Sequence, residues 1–209
     1  MPIEKRWVVK PQGDSEAVAK LAAVLRISPV LANLLVQRGI DTVEKADKFF
    51  KPSLADLHDP FLMKDMDKAV ERLSEAVEQG EQIAVYGDYD CDGITATAML
   101  YSYLEDLGAQ VIYYIPDRDV EGYGLNRAAL DFLKEQQVEL IVTVDNGISA
   151  LDEAVYAKEL GIDLIITDHH QPRPQLPQAC AVIDPHRQDC EYPFKALCGA
   201  GVAFKLICA

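Results

Sequence analysis

The chain has 209 residues, 49% hydrophobic and 26% charged, with a formal net charge of −14. This is globular composition, which excludes a disordered acidic chain. No apolar run reaches the roughly 18–20 residues of a membrane helix, and residues 1–10 lack the apolar core of a secretion signal.

The first 80 residues read as a helical leader. Residues 17–38 are densely apolar but interrupted at Ser28-Pro29, which predicts two short helices with Gly39 as a stop. Residues 42–50 predict a third, and the segment between Pro52 and Pro60 reads as loop. Met66, Ala69, Val70, Leu73, Ala76 and Val77 share one face of an amphipathic helix that Asp65 or Asp67 can cap and Gly80 can end. From residue 82 the pattern alternates. Short, mostly β-branched apolar runs at 83–87, 111–115, 140–144, 163–167 and 181–183 are strand length. Helical stretches at 94–107, 126–136 and 149–160 lie between them. Strand–helix alternation with near-continuous apolar strands predicts an α/β, doubly wound, mainly parallel sheet over residues 81–209. Residues 199–209 read as the start of a buried helix without a polar end, as expected of a piece of a longer chain.

The negative charge is local. Residues 81–170 carry 4 Lys/Arg against 18 Asp/Glu, and the flanking segments are nearly neutral. Such a chain is a poor electrostatic partner for nucleic acid, where basic clusters supply affinity, but clustered carboxylates suit divalent cations. A solvated acidic surface is the simpler reading of the composition; the positions of the acids oppose it. Four of the five predicted strands end in acids or histidines: Asp88-Tyr-Asp90-Cys-Asp92-Gly93, Asp145-Asn-Gly147, Asp168-His169-His170 and Asp184-Pro-His186. Open parallel sheets bind ligands beyond these carboxyl ends. Residues two apart in extended chain face the same way, so Asp88 and Asp90 can point at one spot. An EF-hand is excluded, because position twelve from Asp88 is Met99 and a strand precedes the loop. Mixed carboxylate and imidazole ligands favour Mn2+ or Mg2+ over zinc, and two such ions suit phosphoester hydrolysis. Five cysteines, odd in number and never spaced Cys-x-x-Cys, argue against a disulfide framework or zinc knuckle and fit a reducing cytoplasm.

Taken in order, VYGDYDCDGITATAMLYSYL, YYIPDRDVEGYGLN, IVTVDNGIS, IITDHHQP, VIDPHRQDCEYP and GAGVAFKL resemble the DHH phosphoesterase superfamily, named for the triplet here at Asp168-His169-His170. The upstream LHDPFLMKDMDKAV resembles the leader of the superfamily's exonucleases that degrade single-stranded DNA from the 5′ end in repair and recombination. The resemblance implies that Asp88, Asp90, Asp145 and His169 are ligands to two Mn2+ or Mg2+ ions. It implies that His170 contacts the scissile phosphate, with Asp168 supporting the histidines, and that Arg118 grips a DNA phosphate. Asp92 is placed with the catalytic set, although it can equally cap the helix at 94–107. The implied partners are single-stranded DNA and a single-strand-binding protein or a helicase. The resemblance also implies a further metal-binding aspartate and a second lobe beyond residue 209, so weak or no turnover is expected of these residues alone.

Competing readings attach to single residues. Asp145 suits a plain turn, and Asp184 reads as a strand-end acid. Tyr101, Tyr103, Tyr113 and Tyr114 read as core rather than as base-stacking residues. Gly199 and Gly201 read as tight packing rather than an anion cradle. Two functional alternatives remain: an oligonucleotide or cyclic-dinucleotide phosphodiesterase (or a pyrophosphatase) of the same superfamily, and a catalytically silent module that binds a nucleotide.

Overall fold

The computed structural model describes residues 6–209; the first five residues of the N-terminal segment read for a signal lie outside it. Two compact units divide between Leu57 and His58. In the first, α1 (Ser15–Leu25), α2 (Pro29–Val36) and α3 (Val43–Phe50) close around Leu21, Ala32, Leu35 and Ala46. The Ser28 hydroxyl accepts from the Leu31 N–H and Pro29 opens α2, so the predicted break is a helix start. Thr42 caps α3 in the same way.

The second unit contains α4 (Met66–Gln79), β1 (Ile83–Tyr86), α5 (Cys91–Asp106), β2 (Val111–Tyr114), α6 (Arg127–Glu135), β3 (Leu140–Val144), α7 (Leu151–Glu159), β4 (Asp163–Thr167), β5 (Ala181–Ile183) and α8 (Gly199–Cys208). The unit starts at His58 and not near residue 80, because α4 buries Met66, Ala69, Leu73 and Ala76 in the sheet's own core.

The five strands are all parallel, in the order β2-β1-β3-β4-β5. Alternate side chains feed opposite faces. Ile83 and Val85 join Leu100, Leu104, Val202 and Leu206 under α4, α5 and α8. Ala84 and Tyr86 join Leu130, Leu133, Ala154 and Ala157 under α6 and α7. The sheet is thus doubly wound. The chain leaves β1 toward β2 on one side and returns to β3 on the other, so a crevice opens beyond the ends of β1 and β3, the usual ligand position in such sheets.

Three local expectations are corrected. Asp65 occupies the N-cap position of α4 but makes no capping bond; its carboxylate turns to Lys68 and Arg187. The helix expected at 94–107 starts at Cys91, and its cap is Asp90, not Asp92. Tyr103 and Tyr113 are exposed and Tyr101 and Tyr114 only half-buried; Tyr113 and Tyr114 stand on β2, an edge strand, and Tyr101 and Tyr103 on α5.

One buried cation ties α4 to β5. Arg187, 7% exposed, donates to Asp65 at 2.6 Å, to both oxygens of Asp189 and to the Val182 carbonyl. Removing one partner of such a pair leaves the other charge uncompensated. We expect Arg187→Ala to cost about 3 kcal/mol of unfolding free energy in chemical denaturation; a loss below about 1 kcal/mol would contradict this reading. Burial works to raise the Asp65 carboxyl, but Lys68 and Arg187 outweigh it and hold it below the ordinary range. Its contribution is therefore present above the unfolded-state value and is lost as pH falls through the lowered folded value. That acid-side loss should shrink in Arg187→Ala.

Candidate metal centre

The centre is built on the turns that follow β1, β3 and β4. After β1 the chain passes Gly87 and brings in Asp88, 4% exposed. The next residues turn into α5. One Asp90 oxygen accepts from the Asp92 and Gly93 N–H groups, at 2.8 and 3.0 Å. Gly93 permits the tight turn: a Cβ there would lie 2.6–2.7 Å from the backbone and Cβ of Asp88. The glycine of Asp-x-Asp-x-Asp-Gly thus serves close packing of α5 against the end of β1.

Asp145 follows β3 with φ 64°, a left-handed conformation that costs a non-glycine residue free energy. Asn146 beside it is fully buried and donates to the carbonyls of Tyr86 and Val144, tying the ends of β1 and β3 together. The Asp145 carboxylate is 2% exposed, and its Oδ1 has no hydrogen-bond partner. His169 Nε2 lies 3.0 Å from that oxygen without the alignment to donate to it, and 3.6 Å from Asp92 Oδ2. Burial, then the nearby charges of Asp92 and Asp90, push the Asp145 carboxyl up to about 7. Burial also raises Asp88.

After β4, Asp168 is buried and fully used. Its Oδ1 accepts from the His169 and His170 N–H groups and faces His170 Nδ1 at 2.7 Å; its Oδ2 accepts from the Ile148 N–H. Burial works against the Asp168 charge, but these donors outweigh it and hold the carboxyl below its ordinary range. Its bond to His170 in turn raises that imidazole to about 9. Nδ1 is thereby engaged, which fixes the ring and leaves Nε2 for other work.

Two overlapping groups have the compactness of a cation site. Asp88, Asp90 and Asp145 bring ligand atoms within 4.8 Å of one another, and so do Asp145, His169 and His170. Asp145 belongs to both. An orphaned, buried carboxylate oxygen shared by two oxygen- and nitrogen-rich groups fits a hard-to-borderline divalent cation.

Other residues fall outside the cluster or play a part the sequence does not announce. Asp92 caps α8, its two oxygens accepting from Gly199 and Ala200 at 2.7 and 2.8 Å. The N-terminus of α8 is therefore already filled by a protein carboxylate. A Cβ on Gly199 would sit 2.4–2.5 Å from the Asp145 carboxylate, so this glycine lets α8 wall the cluster. Tyr123, in the Glu121-Gly-Tyr-Gly turn, donates to the Asp145 carbonyl at 3.2 Å and approaches His170 Nδ1 at 3.4 Å. Arg118 is exposed, its guanidinium 5.3 Å from the centroid of the Tyr89 ring. Asp184 is fully buried at the end of β5 and accepts from the His186 N–H; burial raises it to about 6.

The family model "DHH family, N-terminal domain" matches residues 82–209. The chain is 50% identical over 201 residues to the single-stranded-DNA-specific exonuclease RecJ of Bacillus subtilis, covering 96% of this chain and 25% of that protein. It is 40% identical over 207 residues to RecJ of Escherichia coli, covering 98% of this chain and 35% of that protein. A crystal structure of Thermus thermophilus RecJ in complex with Mn2+ matches with a TM-score of 0.72 and 32% identity, over 97% of this chain and 28% of that one. The chain therefore spans about a quarter to a third of the length of these relatives. The family match takes in every residue of the crevice described above, from Asp88 to Gly199, and the chain belongs to the DHH family.

Proposed function

We propose that the chain supplies the metal-binding lobe of an exonuclease that hydrolyses phosphodiester bonds of single-stranded DNA from the 5′ end, using Mn2+ or Mg2+. The carrying observation is the doubly shared Asp145 carboxylate, buried, unpartnered at Oδ1 and flanked by Asp88, Asp90 and His169. The relatives are named single-stranded-DNA-specific exonucleases and one is described in complex with Mn2+, which supports the same reading.

In this proposal Asp88, Asp90, Asp145 and His169 hold the cations. Bound divalent ions supply charge stabilisation and an activated water for attack on phosphorus. The chain's own residues do the rest. His170, its ring held through Nδ1 by Asp168, places Nε2 where the non-bridging phosphate oxygens gain charge. Asp92 and Gly199 act as positioning residues: the first anchors α8, and the second lets its backbone lie against Asp145. Arg118, on the segment after β2, is a cation available to a strand phosphate. A single-strand-binding protein or helicase would present the strand, and the five unpaired cysteines support a reducing, cytoplasmic setting.

Isothermal titration with Mn2+ tests the metal assignment on this chain. Wild type should show saturable binding, and Asp145→Ala should show none while its circular dichroism is unchanged; undiminished binding in that variant rejects the site. Gly199→Ala should weaken Mn2+ binding about tenfold, because the added methyl displaces the Asp145 carboxylate. Equal affinity would show that the α8 wall does not position it. In a protein that carries this chain at the length of its relatives, Asp145→Ala should slow mononucleotide release from 5′-ended single strands by about 100-fold or more. Release within about threefold of wild type would reject the nuclease mechanism.

A further inference from the structure

An open sheet edge presents unpaired N–H and C=O groups, which proteins ordinarily blunt or cover. At one edge, β5 is tied to α4 through Arg187. At the other, the outer side of β2 has no backbone or side-chain partner among the described residues. Alternate residues of a parallel pair bond the neighbouring strand. The carbonyls of Gln110 and Tyr114 accept from Ile83 and Gly87, at the two ends of β1. Gln110, Ile112 and Tyr114 therefore serve β1, and the N–H and C=O groups of Val111 and Tyr113 point outward. No charge and no proline protects Val111-Ile-Tyr-Tyr114. Its two faces are aromatic. Tyr113, 61% exposed, meets the Tyr101 ring edge-on at 5.5 Å between centroids, and Tyr114 lies 5.7 Å from the exposed Phe132 ring. The surroundings are acidic: residues 101–121 hold five Asp/Glu and one Arg. Two of these acids reach the aromatic faces, Glu105 accepting from the Tyr101 hydroxyl and Glu121 from the Tyr114 hydroxyl.

We propose that β2 is a docking edge for a basic, extended segment of a protein partner, which joins the sheet as an added strand. Main-chain bonds to Val111 and Tyr113 would supply the pairing, and the flanking tyrosines and Phe132 would receive its apolar side chains. The carboxylates select the partner's chemistry. They repel the phosphates of a nucleic acid. A second copy of this chain would bring the same acids against their own kind, so a cationic segment is the complement. The edge strand is separate from the metal centre, and the assignment does not rest on the nuclease reading.

The test uses amide hydrogen exchange, with a short peptide of alternating lysine and valine as the probe. The peptide should bind saturably and slow exchange at Val111 and Tyr113 about tenfold or more. Ile112 and Tyr114, already bonded to β1, should be unchanged. That alternation distinguishes strand addition from adhesion to the surface. The same peptide with glutamate for lysine, or with proline at its centre, should bind at least about tenfold more weakly. Tyr113→Lys, at an exposed position, should weaken the lysine peptide similarly while its Mn2+ titration matches wild type. Asp145→Ala should keep the peptide, so the edge and the metal centre fail separately. Equal binding of the glutamate peptide, or protection without the alternation, would overturn the proposal. So would peptide-free protection that grows with protein concentration, or that is already present in a protein carrying this chain at the length of its relatives.

Discussion

Like charge forced into one small volume is the constraint around which the second unit is built. Three carboxylates, from Asp88, Asp90 and Asp145, converge at the mouth of the β1/β3 crevice, and two of them are almost wholly buried. Water cannot screen them well there, and the Asp90 charge works to raise both Asp88 and Asp145. Asp145 carries the greatest load: it is held in left-handed backbone, walled by Gly199, left without a partner at Oδ1 and pushed up to about 7. Sequences optimised only for stability do not keep such an arrangement, and departures of this kind gather at functional sites. In the proposed metal site a divalent cation would turn the repulsion into attraction, so the site's disadvantage to the free fold would become the source of its affinity.

The surrounding acids do the opposite work. Asp90 offers an oxygen to the cluster while capping α5, and Asp92 caps α8. Helix N-termini carry unsatisfied N–H groups and partial positive charge. Both are satisfied here by carboxylates two residues apart, Asp90 at the N-cap of α5 and Asp92 in its first turn, so α5 and α8 are locked to the turn that follows β1. Asp168 is stabilised by four donors, His170 Nδ1 among them, and its charge favours the protonated form of that ring. Acids at neighbouring strand ends thus differ in state because their donors differ. Asp168 is satisfied and held low, Asp145 is starved and held high, although both follow parallel neighbouring strands.

The parallel sheet, its strands and its helices are legible in the sequence to within a few residues, because period and apolar runs are local properties. The convergence of Asp88, Asp145 and His169 is legible too, since the ends of parallel strands meet at one edge. Long-range partnerships are not. Asp92 reads locally as a cap for the helix that follows it, and its actual partners lie 107 and 108 residues away. Asp65 reads as a cap for α4, and a buried arginine 122 residues on claims its carboxylate. The tyrosines of β2 read as core from their apolar run, but no local signal marks the strand as an edge. Gly199 and Tyr123 stand in plain view at the head of a helix and in a glycine-rich turn. Only the fold shows that each touches Asp145.

The thermal stability of wild type and Asp145→Asn, each with and without Mn2+, measures the electrostatic cost directly. The account predicts that metal-free Asp145→Asn melts at a higher temperature than metal-free wild type, and that Mn2+ raises the melting temperature of wild type but leaves the variant where it was. A metal-free variant less stable than wild type, or one stabilised by Mn2+ as strongly, would contradict it.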